Sequence, residues 1–97
     1  MTNITFEWDD RKATENGKKH GVSFKEASSV FLDVNARLIH DPLASAHEDR
    51  FVVLGLSKQL RLLVAVHCFR EDDQVIRIIS ARKADRSERR QYSGFLR

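Results

Sequence analysis

The chain is poor in the residues that would make several functional classes possible. A single cysteine, Cys68, excludes an internal disulfide and a cysteine-based zinc site. The longest apolar stretch, Leu62 to Val66, is far below the roughly 20 residues that a membrane-spanning helix needs. The opening MTNITFEWDD carries acids where a secretory leader would carry basic residues and a long apolar run, so a cytoplasmic protein is expected. With four glycines there is no phosphate-cradling glycine loop, and no Gly-x-Ser-x-Gly elbow. His40, Asp41 and His47 are metal-type ligands without the spacing of a metal motif, so neither a metal nor another cofactor is expected. Pro42 is the only proline, and no repeat or low-complexity tract appears.

What remains is the composition of an ordinary globular domain, 41% hydrophobic and 32% charged, and 97 residues suffice for one domain, residues 1–97, with one modest core. The net charge of +3 is unevenly spread. Arg77, Arg82, Lys83, Arg86, Arg89, Arg90 and Arg97 face only Asp85 and Glu88, so the last segment carries +5 and the rest of the chain −2. A basic terminal segment on a near-neutral body suits a polyanionic partner, and a solvated helix gives the same count.

Alternation of Ile4, Phe6 and Trp8 with Thr5 and Glu7 predicts a first strand. Asp9 is placed to cap a helix running to about His20, with Lys18, Lys19 and His20 in its last turn and Gly21 as its stop. Ser23-x-x-Glu26 reads as a capping box for a second helix to about Phe31, whose Phe24, Ala27, Val30 and Phe31 should face a core. Strands are expected over 36–41, 50–56, 60–69 and 74–80, the last three as an antiparallel meander joined by short polar turns. Asp85-x-x-Glu88 opens a final helix. The order predicts an α+β fold: an antiparallel sheet of four to five strands, two N-terminal helices and one C-terminal helix, with the helices on one face.

Three ordered stretches go further. They are Phe6-Glu7-Trp8-Asp9 followed by Asn16-x-x-Lys19-His20-Gly21-Val22-Ser23-Phe24-x-Glu26-Ala27; Glu48-x-Arg50, Gly55, Arg61-Leu62-Leu63-Val64 and His67; and Ile76 to Ala84 followed by Glu88-Arg89 and Tyr92. Together they span nearly the whole chain, which resembles the BrnT toxin family. The resemblance implies a RelE-like fold, metal-independent ribonuclease activity and neutralisation by a BrnA-type antitoxin. RNA, messenger RNA in particular, would be the substrate, and DNA would be met only through the antitoxin complex.

Metal-free RNA cleavage needs a base for the 2′-hydroxyl proton, cations for the charge growing on the phosphate, and an acid for the leaving 5′-oxygen. Arginine suits the middle role through its permanently charged planar fork, and histidine suits proton transfer. Period-two counting puts Leu60, Leu62, Val64, Val66 and Cys68 on one face of the fourth predicted strand, expected beneath the helices. His67 and Arg61 then lie on the opposite, non-helical face, together with Arg77 from the next strand. With the resemblance added, the expected catalytic set is His67, Glu48, Arg77 and Arg82, with Arg50, Arg61, Lys83 and Tyr92 contacting substrate. Each has a plainer reading. His67 could be a hydrogen-bonded strand histidine, and Arg77 could pair with Glu48 or another strand carboxylate. Glu48 and Arg50 could be edge charges, and Arg82 and Lys83 a solvated loop. His20 reads as part of a helix terminus, and Cys68, Phe6 and Trp8 as core. A non-catalytic nucleic-acid-binding module, or a pure interaction protein using its basic helix, would share the same terminal charge.

Overall fold

A computed structural model of the chain describes residues 4–42, 44 and 49–96. The first strand, β1 (Thr5–Glu7), leads into α1 (Asp10–His20). The Asp9 side chain accepts from the Lys12 amide at 3.0 Å, and Gly21 ends the helix in the left-handed conformation at φ 68°. A second helix, α2 (Phe24–Ser28), continues as a 3-10 turn over Ser29–Leu32. Ser23 caps α2 by accepting from the Glu26 amide at 3.0 Å. The other half of the expected capping box is missing, because the Glu26 carboxylate turns inward to Arg61 and Ser57. The strands β2 (Arg37–Ile39), β3 (Phe51–Leu56), β4 (Leu62–Arg70) and β5 (Val75–Lys83) follow, and α3 (Arg86–Phe95) comes last. Here the capping box is complete: Asp85 accepts from the Glu88 amide at 2.8 Å, and Glu88 accepts from the Asp85 amide at 2.9 Å.

The five strands lie in the order β1-β5-β4-β3-β2. β2 to β5 form the expected antiparallel ladder, but β1 runs parallel to β5, so the sheet is mixed. The parallel pair follows from the connection. β1 is separated from β5 by most of the chain rather than by a hairpin turn, so nothing forces it to reverse direction.

Both faces of the sheet are packed. Val53, Leu63, Ala65, Ile76, Ile78 and Ala81 form one core with Val22, Phe24, Ala27 and Val30 of the N-terminal helical region. Gly55 belongs to this face. A β-carbon there would stand 2.6 Å from Val30 Cγ1 and 3.0 Å from Ala36 Cβ, so close approach of the 3-10 turn to β3 requires glycine. Val52, Leu54 and Val64 form a second core on the other face with Ala84 and Tyr92 of the C-terminal segment. The expectation that all helices share one face is therefore corrected: α3 packs opposite α1 and α2. The apolar set Leu62, Val64 and Val66, expected beneath helices that all share one face, lies on the side of α3 alone. Both sets in β4 are apolar, so periodicity separates them without saying which helix covers which.

The β4–β5 ladder slips once. Val66 pairs with Ser80 and His67 with Ile78, so Ile79 is an extra residue in β5. The bulge inverts the alternation beyond it. Arg77, opposite Cys68, and Arg82, opposite Val64, are an odd number of positions apart yet share the α3 face. Ser80 joins them there, while Ile76 and Ile78 lie on the other face.

Candidate nucleic-acid interface

On this second face Arg82 lies opposite Val64, which packs with Tyr92 of α3, and Arg77 lies opposite Cys68 further along β4. Arg82 is held by two carboxylates. Its guanidinium donates to both oxygens of Glu88, at 2.8 and 2.9 Å, and to Asp41 Oδ2 at 3.4 Å. Hydrogen bonding from Arg82 outweighs burial and keeps the Glu88 carboxyl below its ordinary titration range. Arg77 pairs across β1 and β5: its Nη1 donates to Glu7 Oε2 at 2.7 Å, and Arg70 Nε stands 3.7 Å from the same oxygen. The partner of Arg77 is thus a strand carboxylate, and it is Glu7.

His67 does not join them. It lies on the face packed by the N-terminal helices and is 1% exposed. Its ring stands edge-on to Phe31 at 4.8 Å between centroids, with Phe69 at 5.5 Å and Phe51 at 6.1 Å. Its Nδ1 lies 3.3 Å from the Ala65 carbonyl oxygen. Burial pushes its pKa down more than that contact raises it, which favours the neutral ring. The expectation that His67 and Arg77 line one surface is corrected by the face assignment of β4.

Arg61 and Tyr92, expected at substrate, are engaged inside the fold. Arg61 Nε donates to Glu26 Oε2 at 2.9 Å, its Nη2 pairs with Glu26 Oε1, and it donates to the Gly21 carbonyl at 3.0 Å. Ser57 Oγ adds a bond to the same carboxylate at 2.7 Å. This ties the start of β4 to α2. The Tyr92 hydroxyl donates to Asp33 Oδ2 at 2.7 Å, and that oxygen also accepts from the Leu56 amide at 2.8 Å. Burial first, then the bond to Asp33, push the Tyr92 phenol up to about 12. For Asp33, burial acts to raise the pKa, and the bonds from Leu56, Tyr92 and Asn35 together bring it below the ordinary carboxylate value.

The remaining expected residues fall at the two ends of the sheet. Arg50 is half-buried just before β3, at the end that holds His67 and Arg77, and makes no ion pair among the described residues. Glu48 and His47 lie outside the described residues. Lys83 is exposed at the opposite end, on a groove of about 430 Å³ that Arg61, Leu62, Arg89 and Tyr92 also line. A second groove of about 450 Å³ is lined by Arg86, Arg89, Arg90, Ser93 and Gly94 of α3. None of the three guanidinium groups has a hydrogen-bond or ion-pair partner among the described residues, so they form the cationic rim of the α3 side.

Glu7, Glu26, Asp33 and Glu88, the carboxylates that hold these side chains, were not singled out for those roles by the sequence. Glu7 carried a weak signal, as a charged residue alternating with Phe6 and Trp8 in a short strand. Asp33 carried none, since its partners Leu56 and Tyr92 are far away in the chain.

No curated protein matches the chain. The crystal structure of the Brucella abortus ribonuclease toxin BrnT superposes with a TM-score of 0.66 at 20% identity, covering 86% of this chain and 99% of that one, and shares its fold. The family model described as the ribonuclease toxin BrnT of type II toxin-antitoxin systems matches residues 8–88, from Trp8 before α1 to Glu88 in the capping box of α3. That span takes in α1, α2 and strands β2 to β5 up to the first turn of α3, and the chain belongs to the BrnT ribonuclease-toxin family.

Proposed function

We propose that this protein is an endoribonuclease toxin that cleaves RNA on the α3 face of its sheet, without a metal ion, and is neutralised by a BrnA-type antitoxin. Membership of the family carries this reading, and the pair Arg77 and Arg82 on one face gives it a physical form. In the proposed reaction the 2′-oxygen attacks the adjacent phosphorus and the bond from phosphorus to the 5′-oxygen breaks. The 2′-hydroxyl proton goes to a protein base, and an acid protonates the leaving 5′-oxygen. The products are a 2′,3′-cyclic phosphate and a 5′-hydroxyl.

The arginines would stabilise the charge that builds on the non-bridging oxygens. Arg77 uses only Nη1 on Glu7, which leaves further donors of its fork for phosphate. Arg50 and Lys83 would guide the strand at either end, and the arginines of α3 would attract its backbone. Because His67 is buried, the proton-transfer role would fall instead to carboxylates: Glu48, which precedes β3 in the sequence, and Glu7 beside Arg77. The scaffold would be used in the RelE-like manner, with messenger RNA as substrate. DNA would be met only through the antitoxin.

Incubating the purified protein with RNA in excess EDTA tests the mechanism. Cleavage that persists and leaves 5′-hydroxyl ends is expected. Activity that EDTA abolishes and magnesium restores, or 5′-phosphate products, would overturn it.

A further inference from the structure

The turn between β3 and β4 holds a leucine in a place that suits it poorly. The Ser57 amide donates to the Arg61 carbonyl at 2.8 Å and the Leu60 amide to the Ser57 carbonyl at 2.9 Å. These bonds close the turn and leave Leu60 at φ 64°. Glycine adopts that left-handed conformation freely and asparagine readily, whereas leucine is strained in it. Folding recovers little of this through burial, because Leu60 is 78% exposed.

Leu60 does not stand alone. With Leu56 and Leu62 it lines the groove of about 430 Å³ that Lys83 and Arg89 also line. The groove thus joins leucine side chains from β3, the turn and β4 to cations from β5 and α3. No carboxylate is among the described residues that line it. The Lys83 ammonium and the Arg89 guanidinium have no hydrogen-bond or ion-pair partner among the described residues, whereas Arg61 is already neutralised by Glu26. The groove of Arg86 and Arg90 adjoins it, since Arg89 and Ser93 line both.

That combination discriminates between occupants. A single strand of nucleic acid would find cations here but no stacking face. The only ring among the described lining residues is Tyr92, which is buried and fixed to Asp33. A peptide segment with apolar residues set among carboxylates meets both halves of the groove. Its apolar side chains would lie on the leucines and its acids would face Lys83 and Arg89.

We infer that this groove is the docking site for an acidic, amphipathic segment of the protein that neutralises this chain. The inference rests on the toxin-antitoxin reading above and adds to it where the antitoxin is held and what its binding does. A segment seated there covers Lys83 and Arg89 and brings its acids next to Arg86 and Arg90. It thereby competes with RNA for the cations that would attract the substrate.

The test uses the full-length chain, a purified BrnA-type antitoxin and an RNA substrate. Leu60→Asn removes the apolar side chain and suits the left-handed conformation, so the variant should melt at or above the wild-type temperature. It should bind the antitoxin about tenfold or more weaker, as loss of an apolar anchor requires, and cleave RNA at the wild-type rate. Arg89→Glu sets a carboxylate against the acidic segment and should weaken antitoxin binding by a comparable factor. A photoreactive benzoylphenylalanine in place of Leu60 should crosslink to an antitoxin stretch rich in Asp and Glu. Wild-type antitoxin affinity in Leu60→Asn would overturn the docking site while leaving the toxin-antitoxin reading in place. So would a Leu60→Asn protein that keeps antitoxin binding but loses RNA binding, since the groove would then belong to RNA. A crosslink to a basic or uncharged stretch, or none, would overturn it too. An antitoxin that fails to bind the wild type at all would overturn both readings.

Discussion

Tyr92 separates a structural role from a substrate role more cleanly than any other residue of the candidate site. The sequence reading put it at substrate, whereas the structure buries its ring with Val52, Leu54 and Val64 and ties its hydroxyl to Asp33. Tyr92→Phe keeps the ring and removes one hydrogen bond to a charged acceptor. Such bonds contribute about 1.5–3 kcal/mol. Asp33 is only half-buried and keeps its bonds from the Leu56 and Asn35 amides, so the lower end applies, about 1.5 kcal/mol. For a domain of this size that lowers the melting temperature by roughly 6–12 °C. Cleavage per folded molecule should be unchanged. The phenol offers a second, direct measurement, because Tyr92 is the only tyrosine in the chain. Its absorbance titration should centre near 12 rather than 10 in the folded protein. A phenol pKa raised on folding contributes stability that is complete below 10 and lost as the pH rises towards 12. The wild type should therefore lose stability relative to Tyr92→Phe over that interval. A variant with wild-type melting and a cleavage rate reduced tenfold or more would refute the structural assignment and return Tyr92 to the substrate.

Arg77→Lys keeps the charge and loses the fork, so folded protein should cleave about a hundred- to a thousandfold more slowly, while Arg90→Lys on the exposed side of α3 should change little; equal rates would remove Arg77 from the site. Arg61→Met should destabilise the fold by leaving the Glu26 carboxylate, 3% exposed, with Ser57 as its remaining side-chain partner. Thermal melting should then show Arg61→Met/Glu26→Gln to be more stable than Arg61→Met alone, and additive losses would contradict the pairing. The carboxyls of Glu26, Asp33 and Glu88 all titrate below their ordinary values of 4.5, 3.8 and 4.5 in the folded chain. Their contribution is complete above those values and lost as the pH falls through the lowered ones, so urea midpoints should drop below about pH 4.5, and the lowered pKa of the buried His67 should add a decline that begins as the pH falls through 6.5.

The sequence was most informative where structure is local. Asp9, Gly21 and Ser23 act at α1 and α2 as their chemistry required, and of the two Ser/Asp-x-x-Glu stretches the one at Asp85 and Glu88 closes fully as a capping box. Strand positions were legible within a few residues, because each carries a run of β-branched and apolar side chains. The faces were not. Leu62, Val64 and Val66 alternate with Leu63, Ala65 and His67, and both sets are largely apolar, because both sides of the sheet are covered. His67 therefore looked like a polar residue on an open face when it is a core ring among phenylalanines. The bulge at Ile79 has no glycine to announce it, and it moved Ser80 to the face of Arg77. Long-range pairs were equally hidden. Glu7 reaches Arg77 because β1 docks in parallel on β5, and no spacing within either segment encodes that.

The two arginines that the bulge places on one face are not equivalent, and their partners decide how each can act. Arg82 is gripped at both oxygens of Glu88, whose side chain is 10% exposed and is itself fixed by the Asp85 amide. Removing Glu88 from this arrangement would break a capping box and a two-point ion pair together. Arg82 is thus preorganised, and a phosphate would meet it in place. Arg77 and Glu7 are each about one-third exposed and joined by a single hydrogen bond. Pairs of that kind contribute only about 0–1 kcal/mol, so an incoming phosphate can displace Glu7 at little cost. Displacement frees a carboxylate within reach of the newly bound phosphate, where a proton acceptor is required. In the proposed reaction Arg82 fixes the phosphate, and Arg77 exchanges Glu7 for it. In that proposal the attraction that would bring RNA to this face would come from neither neutralised pair but from Arg86, Arg89 and Arg90 on α3. Site charge and steering charge are therefore separable: high salt should weaken capture through the α3 rim before it weakens the short contacts at Arg82.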